Sequence, residues 1–197
     1  DNIMDAGWFS GSQINYAEHL LRHQGERPAL VFCGENGARR ELSRDELREQ
    51  VAAISAGLRA ADVGHGDRVA GFLPKCPEAI VAMLAATSIG AIWSSCSPDF
   101  GVNGVVDRFG QIEPKVLFTV NGYYYNGKTC DIRATVESVV NKVGSIRRTV
   151  IIPFADDLPT DTGLASGVAW RDFAVRGAEL VFSPVAFDHP LYIMYSS

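Results

Sequence analysis

Between residues 69 and 152, short apolar runs alternate with segments whose apolar side chains recur at helical spacing. No other feature of the chain restricts its fold as much. Val69 to Leu73, Ala91 to Ser94, Val116 to Val120 and Arg148 to Ile152 read as buried strands. Between them, Pro77 to about Ile89 reads as a helix with proline in its first turn, and Val102 to Ile112 as a second. Asp131 is expected to cap a third, bearing Ile132, Val136, Val139, Val140 and Val143 and closed by Gly144. Strands joined through helices make right-handed crossovers. The expectation is therefore an α/β fold, a doubly wound, mainly parallel sheet flanked by helices. Such sheets bind ligands beyond the carboxyl ends of their strands. The apolar run Leu191 to Tyr195 reads as a further strand, so that rule nominates the segments after Leu73, Ser94, Val120 and Tyr195.

Upstream, Ser43 and Glu46 have the spacing of a capping box, in which each side chain satisfies a backbone amide. Leu47, Val51, Ile54 and Leu58 then lie on one face of an amphipathic helix. Pro28–Cys33 and Arg39 to Leu42 read as a hairpin around Asn36-Gly37. Ile14, Tyr16, Leu20 and Leu21 suggest a short helix, as do Trp170 and Phe173, and 156–167 reads as a surface loop. The expected division is an N-terminal segment with its helix over 1–27, then an α/β unit over 28–197.

Composition narrows the function classes. A formal charge of −5 without a basic stripe argues against a nucleic-acid surface, while leaving room for a nucleotide held by a few donors. Cys33, Cys76, Cys96 and Cys130 form no CxxC pair and read as reduced thiols of a cytoplasmic protein. No apolar stretch is long enough to insert in a membrane and no basic signal region opens the chain. Asp1 at the start and an apolar run ending in two serines suggest a chain cut inside a domain.

Several motifs fall away. Gly64-His65-Gly66-Asp67 lacks a third glycine and precedes a strand, so it reads as a turn and not a dinucleotide fingerprint. His19 and His23 lack a third ligand and read as a surface helix face. No G-x-S-x-G elbow is present. Two segments remain as candidates. Ser94 to Gly101 sets small polar residues between a strand end and a helix start, where backbone can approach an anionic ligand or simply connect two elements. Tyr123 to Lys128 reads equally as a base-stacking and phosphate-pairing cluster or as an Asn-Gly hairpin with packed aromatics.

Taken in order, these segments resemble the adenylate-forming acyl-CoA synthetases over nearly the whole chain. Arg40 to Leu47 resembles their first core motif, and Gly64 to Pro74 followed by Pro77-Glu78-Ala79 resembles the "GD-x-V-A-x-x-x-P … PE" segment. Phe187 to Ser197 is similar to the strand leading into their phosphate loop. Ser94 to Gly101, Arg108 to Lys115 and Tyr124 to Lys128 are most similar to the branch that activates acetoacetate.

The resemblance implies a two-step ligation. Acetoacetate attacks the α-phosphate of ATP to give an acyl-adenylate and pyrophosphate, with Mg²⁺ neutralising charge, and the thiol of coenzyme A then displaces AMP. It implies that Ser196 and Ser197 open the ATP-phosphate loop. It also implies that Ser97, Pro98, Asp99, Tyr125 and Lys128 belong to the coenzyme A site, with Tyr125 standing where acetyl-CoA relatives carry a cation. No catalytic residue or metal ligand falls in this chain, so the segment alone is expected to be inactive. A ligase for acetate, propionate or butyrate, or a non-catalytic nucleotide-binding module, stays open as an alternative.

Overall fold

A computed structural model describes residues 7–161 and 163–195. Its centre is a five-stranded parallel sheet built from β4 (Arg68–Phe72), β5 (Ile92–Cys96), β6 (Val116–Val120), β9 (Arg148–Ile152) and β10 (Gly167–Ala169). The order across the sheet is β10-β9-β6-β4-β5. The chain runs from β4 outward to β5, then returns past β4 to β6, so the order reverses between β4 and β6. That reversal places the crossover helices on opposite faces. On one face α1 (Tyr16–Leu20) and α2 (Arg44–Ala60) pack with α3 (Pro77–Ser88), and on the other α4 (Val102–Ile112) packs with α5 (Arg133–Lys142). The doubly wound expectation holds.

The local reasons are those the sequence offers. Ser43 Oγ accepts from the Glu46 amide and the Glu46 carboxylate accepts from the Ser43 amide, so α2 starts on a complete capping box. Val51, Ile54 and Leu58 are buried beneath it, each contributing roughly 1.5–3 kcal/mol. α3 opens on Pro77 and is buried along most of its length between α2 and the sheet. All five residues of β6 are buried, as expected for a central parallel strand. β2 (Pro28–Cys33) and β3 (Arg39–Ser43) form the expected hairpin, and α6 (Trp170–Phe173) docks on β9 and β10.

Several elements differ from expectation. Leu191 to Tyr195 does not form a strand. Tyr192 makes one parallel bridge to Trp93, because the Trp93 amide donates to Leu191 O (3.1 Å) and the Ile193 amide to Trp93 O (2.9 Å) without continuing. Asp131 ends β8 (Lys128–Asp131), and Ile132 is the N-cap of α5. The Asp131 carboxylate instead accepts from the Arg133 amide at 3.0 Å and pairs its guanidinium at 2.6 Å. Val143, not Gly144, caps the far end. His23 lies beyond the end of α1, and His19 is engaged by Arg22 at 2.7 Å, so the two histidines share no helix face. β1 (Gln13–Ile14) pairs antiparallel with β11 (Val185–Ala186), whereas β7 (Gly122–Tyr125) pairs with β8 as the Asn-Gly hairpin reading has it.

Candidate functional site

The carboxyl ends of β4, β5, β6 and β9 share one edge of the sheet. After β4 the chain turns through Leu73-Pro74-Lys75-Cys76 into α3. This turn, β2 and the end of β5 enclose a cavity of about 500 Å³ walled by Leu30, Phe32, Met83 and Trp93, with Lys75, Ser95 and Ser97 among its polar groups. Arg40 fastens the β2–β3 hairpin over it by a two-pronged pair to Glu78 at 2.7 and 2.9 Å, and its guanidinium lies 5.4 Å from the Phe32 ring. Cys76 and Cys96 line this cavity as inert thiols. Burial pushes each up to about 12, helped at Cys76 by the Glu78 charge.

Beyond β5, Ser97 and Asp99 are exposed while Pro98 is buried beneath them. The turn they form leads to Gly101, the N-cap of α4. Beyond β6, Asn121 is buried and ties two loops together. Its Nδ2 donates to Ala155 O and Leu158 O at 2.8 and 3.0 Å, and its Oδ1 accepts from the Phe154 and Ala155 amides at 3.0 Å. The β7–β8 hairpin follows, turning through Asn126 and Gly127 at φ 50° and 71°. Tyr124 is structural: its hydroxyl accepts from the Asp156 amide at 3.1 Å and its ring packs on Phe154. Tyr123 has its phenol pushed up by burial first, then by Cys130 and the charge of Asp99. Tyr125, 66% exposed, and Lys128 stand opposite one another across the hairpin.

Of the residues nominated from sequence, the fold thus groups Ser97, Pro98 and Asp99 in one loop and Tyr125 with Lys128 in another. β4 lies between the two strands that carry these loops. No hydrogen bond joins the two groups among the described residues. Ser196 and Ser197 lie outside the described residues.

Comparison with known proteins then decides the family. The profile of the AMP-binding enzymes matches residues 17–197. The chain belongs to the AMP-binding enzyme family. It is 47% identical over 203 residues to acetoacetyl-coenzyme A synthetase of Rhizobium meliloti (strain 1021), covering all of this chain and 30% of that protein. It is 44% identical over 202 residues to acetoacetyl-CoA synthetase of Mus musculus, covering 96% of this chain and 30% of that protein. Among solved structures, acetoacetyl-CoA synthetase from Streptomyces lividans superposes with a TM-score of 0.90 at 44% identity, covering 96% of this chain and 29% of that one. The chain therefore spans about 30% of the relatives it matches.

Within this AMP-binding segment, no group of three or more His, Cys, Asp or Glu side chains that could hold a metal is found among the described residues. No helix among them is long and apolar enough to cross a membrane. His65 and His189 stack with centroids 4.4 Å apart at the amino end of β4, remote from the candidate edge. Sequence reading missed Asn121 and the setting of Arg108. For Asn121 a signal existed, since a lone amide directly after a five-residue apolar strand marks a loop organiser. The surroundings of Arg108 come from Phe100 and Tyr195, and no spacing rule links 108 to 195.

Proposed function

We propose that this segment forms part of an ATP-dependent acetoacetate–CoA ligase that works through an acyl-adenylate. The observation that carries the reading is the likeness, over 96% of the chain, to the Streptomyces lividans acetoacetyl-CoA synthetase. The segment's part is to build the edge against which ATP and coenzyme A bind. In this reading the Ser97-Pro98-Asp99 turn offers the exposed Ser97 and Asp99 and open backbone to the coenzyme A nucleotide, with buried Pro98 shaping the turn and Lys128 as the cation. Tyr125 supplies an exposed aromatic face in place of a second cation. Ser196 and Ser197 open the phosphate loop that receives ATP. Mg²⁺ would be held through the nucleotide's phosphates, neutralising charge as acetoacetate attacks the α-phosphorus. Residues 1–27 serve as the N-terminal segment and 28–197 as the α/β unit, in a cytoplasmic enzyme whose cysteines stay reduced.

A second reading widens the acid. The chain is also 37% identical over 204 residues to malonamoyl-CoA synthetase vrtB of Penicillium aethiopicum, covering 28% of that protein. Acetoacetate and malonamate both carry a carbonyl two carbons from the carboxylate, so the substrate class is a short β-carbonyl acid, with acetoacetate preferred.

The test is pyrophosphate release by the parent-length protein with ATP, Mg²⁺, coenzyme A and acetoacetate, malonamate, acetate, propionate or butyrate. Turnover led by acetoacetate is expected, with the 197-residue segment silent. Preference for acetate or butyrate would overturn the acid assignment, and silence with every acid would leave a nucleotide-binding module.

A further inference from the structure

Arg108 rises from the middle of α4 with its guanidinium between two aromatic rings, 4.4 Å from the centroid of Phe100 and 5.6 Å from that of Tyr195. Gly104, one turn earlier, makes the stack possible, because a Cβ there would come within 3.1 Å of the Phe100 ring and 3.5 Å of Arg108 Nη1. Nη1 donates to Gly104 O at 2.8 Å. Among the described residues the Arg108 side chain has no other hydrogen bond and no ion pair, Asp99 included. Tyr195 is fixed in turn, its hydroxyl donating to the main-chain carbonyl of Arg108 at 2.6 Å.

A guanidinium used purely as a brace spends most of its fork on carboxylates or carbonyls, whereas Arg108 spends a single bond, on Gly104 O. Stacking between rings engages the faces of the cation and leaves its in-plane N–H edge available, with the rotamer already immobilised. The two rings also come from the two segments that matter. Phe100 directly follows Ser97-Pro98-Asp99, and Tyr195 directly precedes Ser196-Ser197.

We propose that Arg108 is a phosphate-binding residue, offering the free edge of its guanidinium, between Phe100 and Tyr195, to phosphate oxygens of a bound nucleotide. The inference rests on the ligase reading above. A planar fork matched to a tetrahedral oxyanion is the shared chemistry, and the phosphate comes from ATP or from coenzyme A.

The experiment measures the KM values for ATP and coenzyme A of the parent-length protein as wild type, Arg108→Gln and Arg108→Lys, with thermal melting in parallel. Loss of a charge-assisted contact raises one KM by about ten- to a hundredfold in Arg108→Gln, with partial recovery in Arg108→Lys, which keeps charge but not the fork. A rise confined to ATP assigns the contact to the ATP phosphates, and one confined to coenzyme A assigns it to that ligand; either supports the proposal. Unchanged KM values with a lowered melting temperature would make Arg108 a packing brace and overturn it. If the wild type turns over no acid, the ligase reading fails separately. Pyrophosphate titration then decides on Arg108: binding weakened in Arg108→Gln supports the proposal, whereas equal or undetectable binding overturns it.

Discussion

Gly71 and Trp93 approach so closely across neighbouring parallel strands that a methyl at 71 would stand 2.7 Å from Cζ2 of the indole and 2.9 Å from Cη2. The indole lines the carboxyl-edge cavity and is almost wholly buried, so a methyl at 71 would displace it from its packed position. Gly71→Ala is expected to lose about 1–3 kcal/mol through overpacking, read as a lower urea midpoint with an unchanged slope. A midpoint equal to wild type would show that the ring moves freely, and with it the cavity wall.

Asn15, the buried N-cap of α1, ties that helix to the end of α3 and to Ser183. Its amide donates to Thr87 O, Ser88 O and Ser183 O at 3.1, 3.0 and 2.8 Å, while its oxygen caps α1 through the Glu18 amide. Asn15→Ala is expected to cost roughly 1–3 kcal/mol and to expose the chain around α1 to limited proteolysis before the remainder. Asn15→Asp, nearly the same shape, should fare no better, because a carboxylate offers no N–H to those carbonyls. Rescue by aspartate would refute this account.

Asp67 closes the turn into β4. Partial burial works to raise the pKa of its carboxyl, but the bond from Lys115 Nζ (2.8 Å), the bond from the Gly64 amide (2.9 Å) and the charges of Lys115 and Arg68 outweigh it, leaving the value below the ordinary aspartate range. A depressed folded-state pKa means stability present above about pH 4 and lost as pH falls through the folded value. Asp67→Asn should therefore be less stable than wild type at pH 7, by about 1 kcal/mol, since the pair with Lys115 is partly shielded from solvent but still screened. The gap should close in urea melts taken below about pH 4. A gap that persists at low pH would point to the turn geometry and not the charge.

Alkylation separates the thiols. Cys33 is exposed, whereas Cys76 is buried with its thiol pushed up to about 12. Iodoacetamide at pH 8 should modify Cys33 first and leave Cys76 intact until the chain unfolds, because the thiolate is the reactive form. Peptide mapping that finds Cys76 modified in the native state would mean that the loop after β4 opens.

Much of this architecture was readable because its signals are local. Val102–Ile112, Val116–Val120 and Arg148–Ile152 form as the periodicity predicts, and the Ser43–Glu46 box sits where two residues three apart declare it. The candidate edge followed from strand ends alone. What stayed hidden depends on partners distant in the chain. The β1–β11 ribbon joins residue 13 to residue 186, and β10 is three residues long and exists only through β9. Leu191 to Tyr195 has a strand's composition yet meets its neighbour at a single bridge, since composition cannot report how far two backbones run together. Asp131 illustrates a local failure: it has a capping residue's chemistry, but pairing with Gly122 keeps it in β8.

That single bridge at Trp93 has a consequence for the molecule among its own copies. β5 is an outermost strand, and an outermost strand with vacant amides and carbonyls is a template on which another chain can add itself. Here both backbone groups of Trp93 are taken, and Ser94 Oγ clasps the Ile193 carbonyl at 2.8 Å. A stranger's strand would have to strip three bonds before it could extend the sheet. The stretch of backbone that leads toward Ser196 thus also shields the middle of this edge of the described sheet.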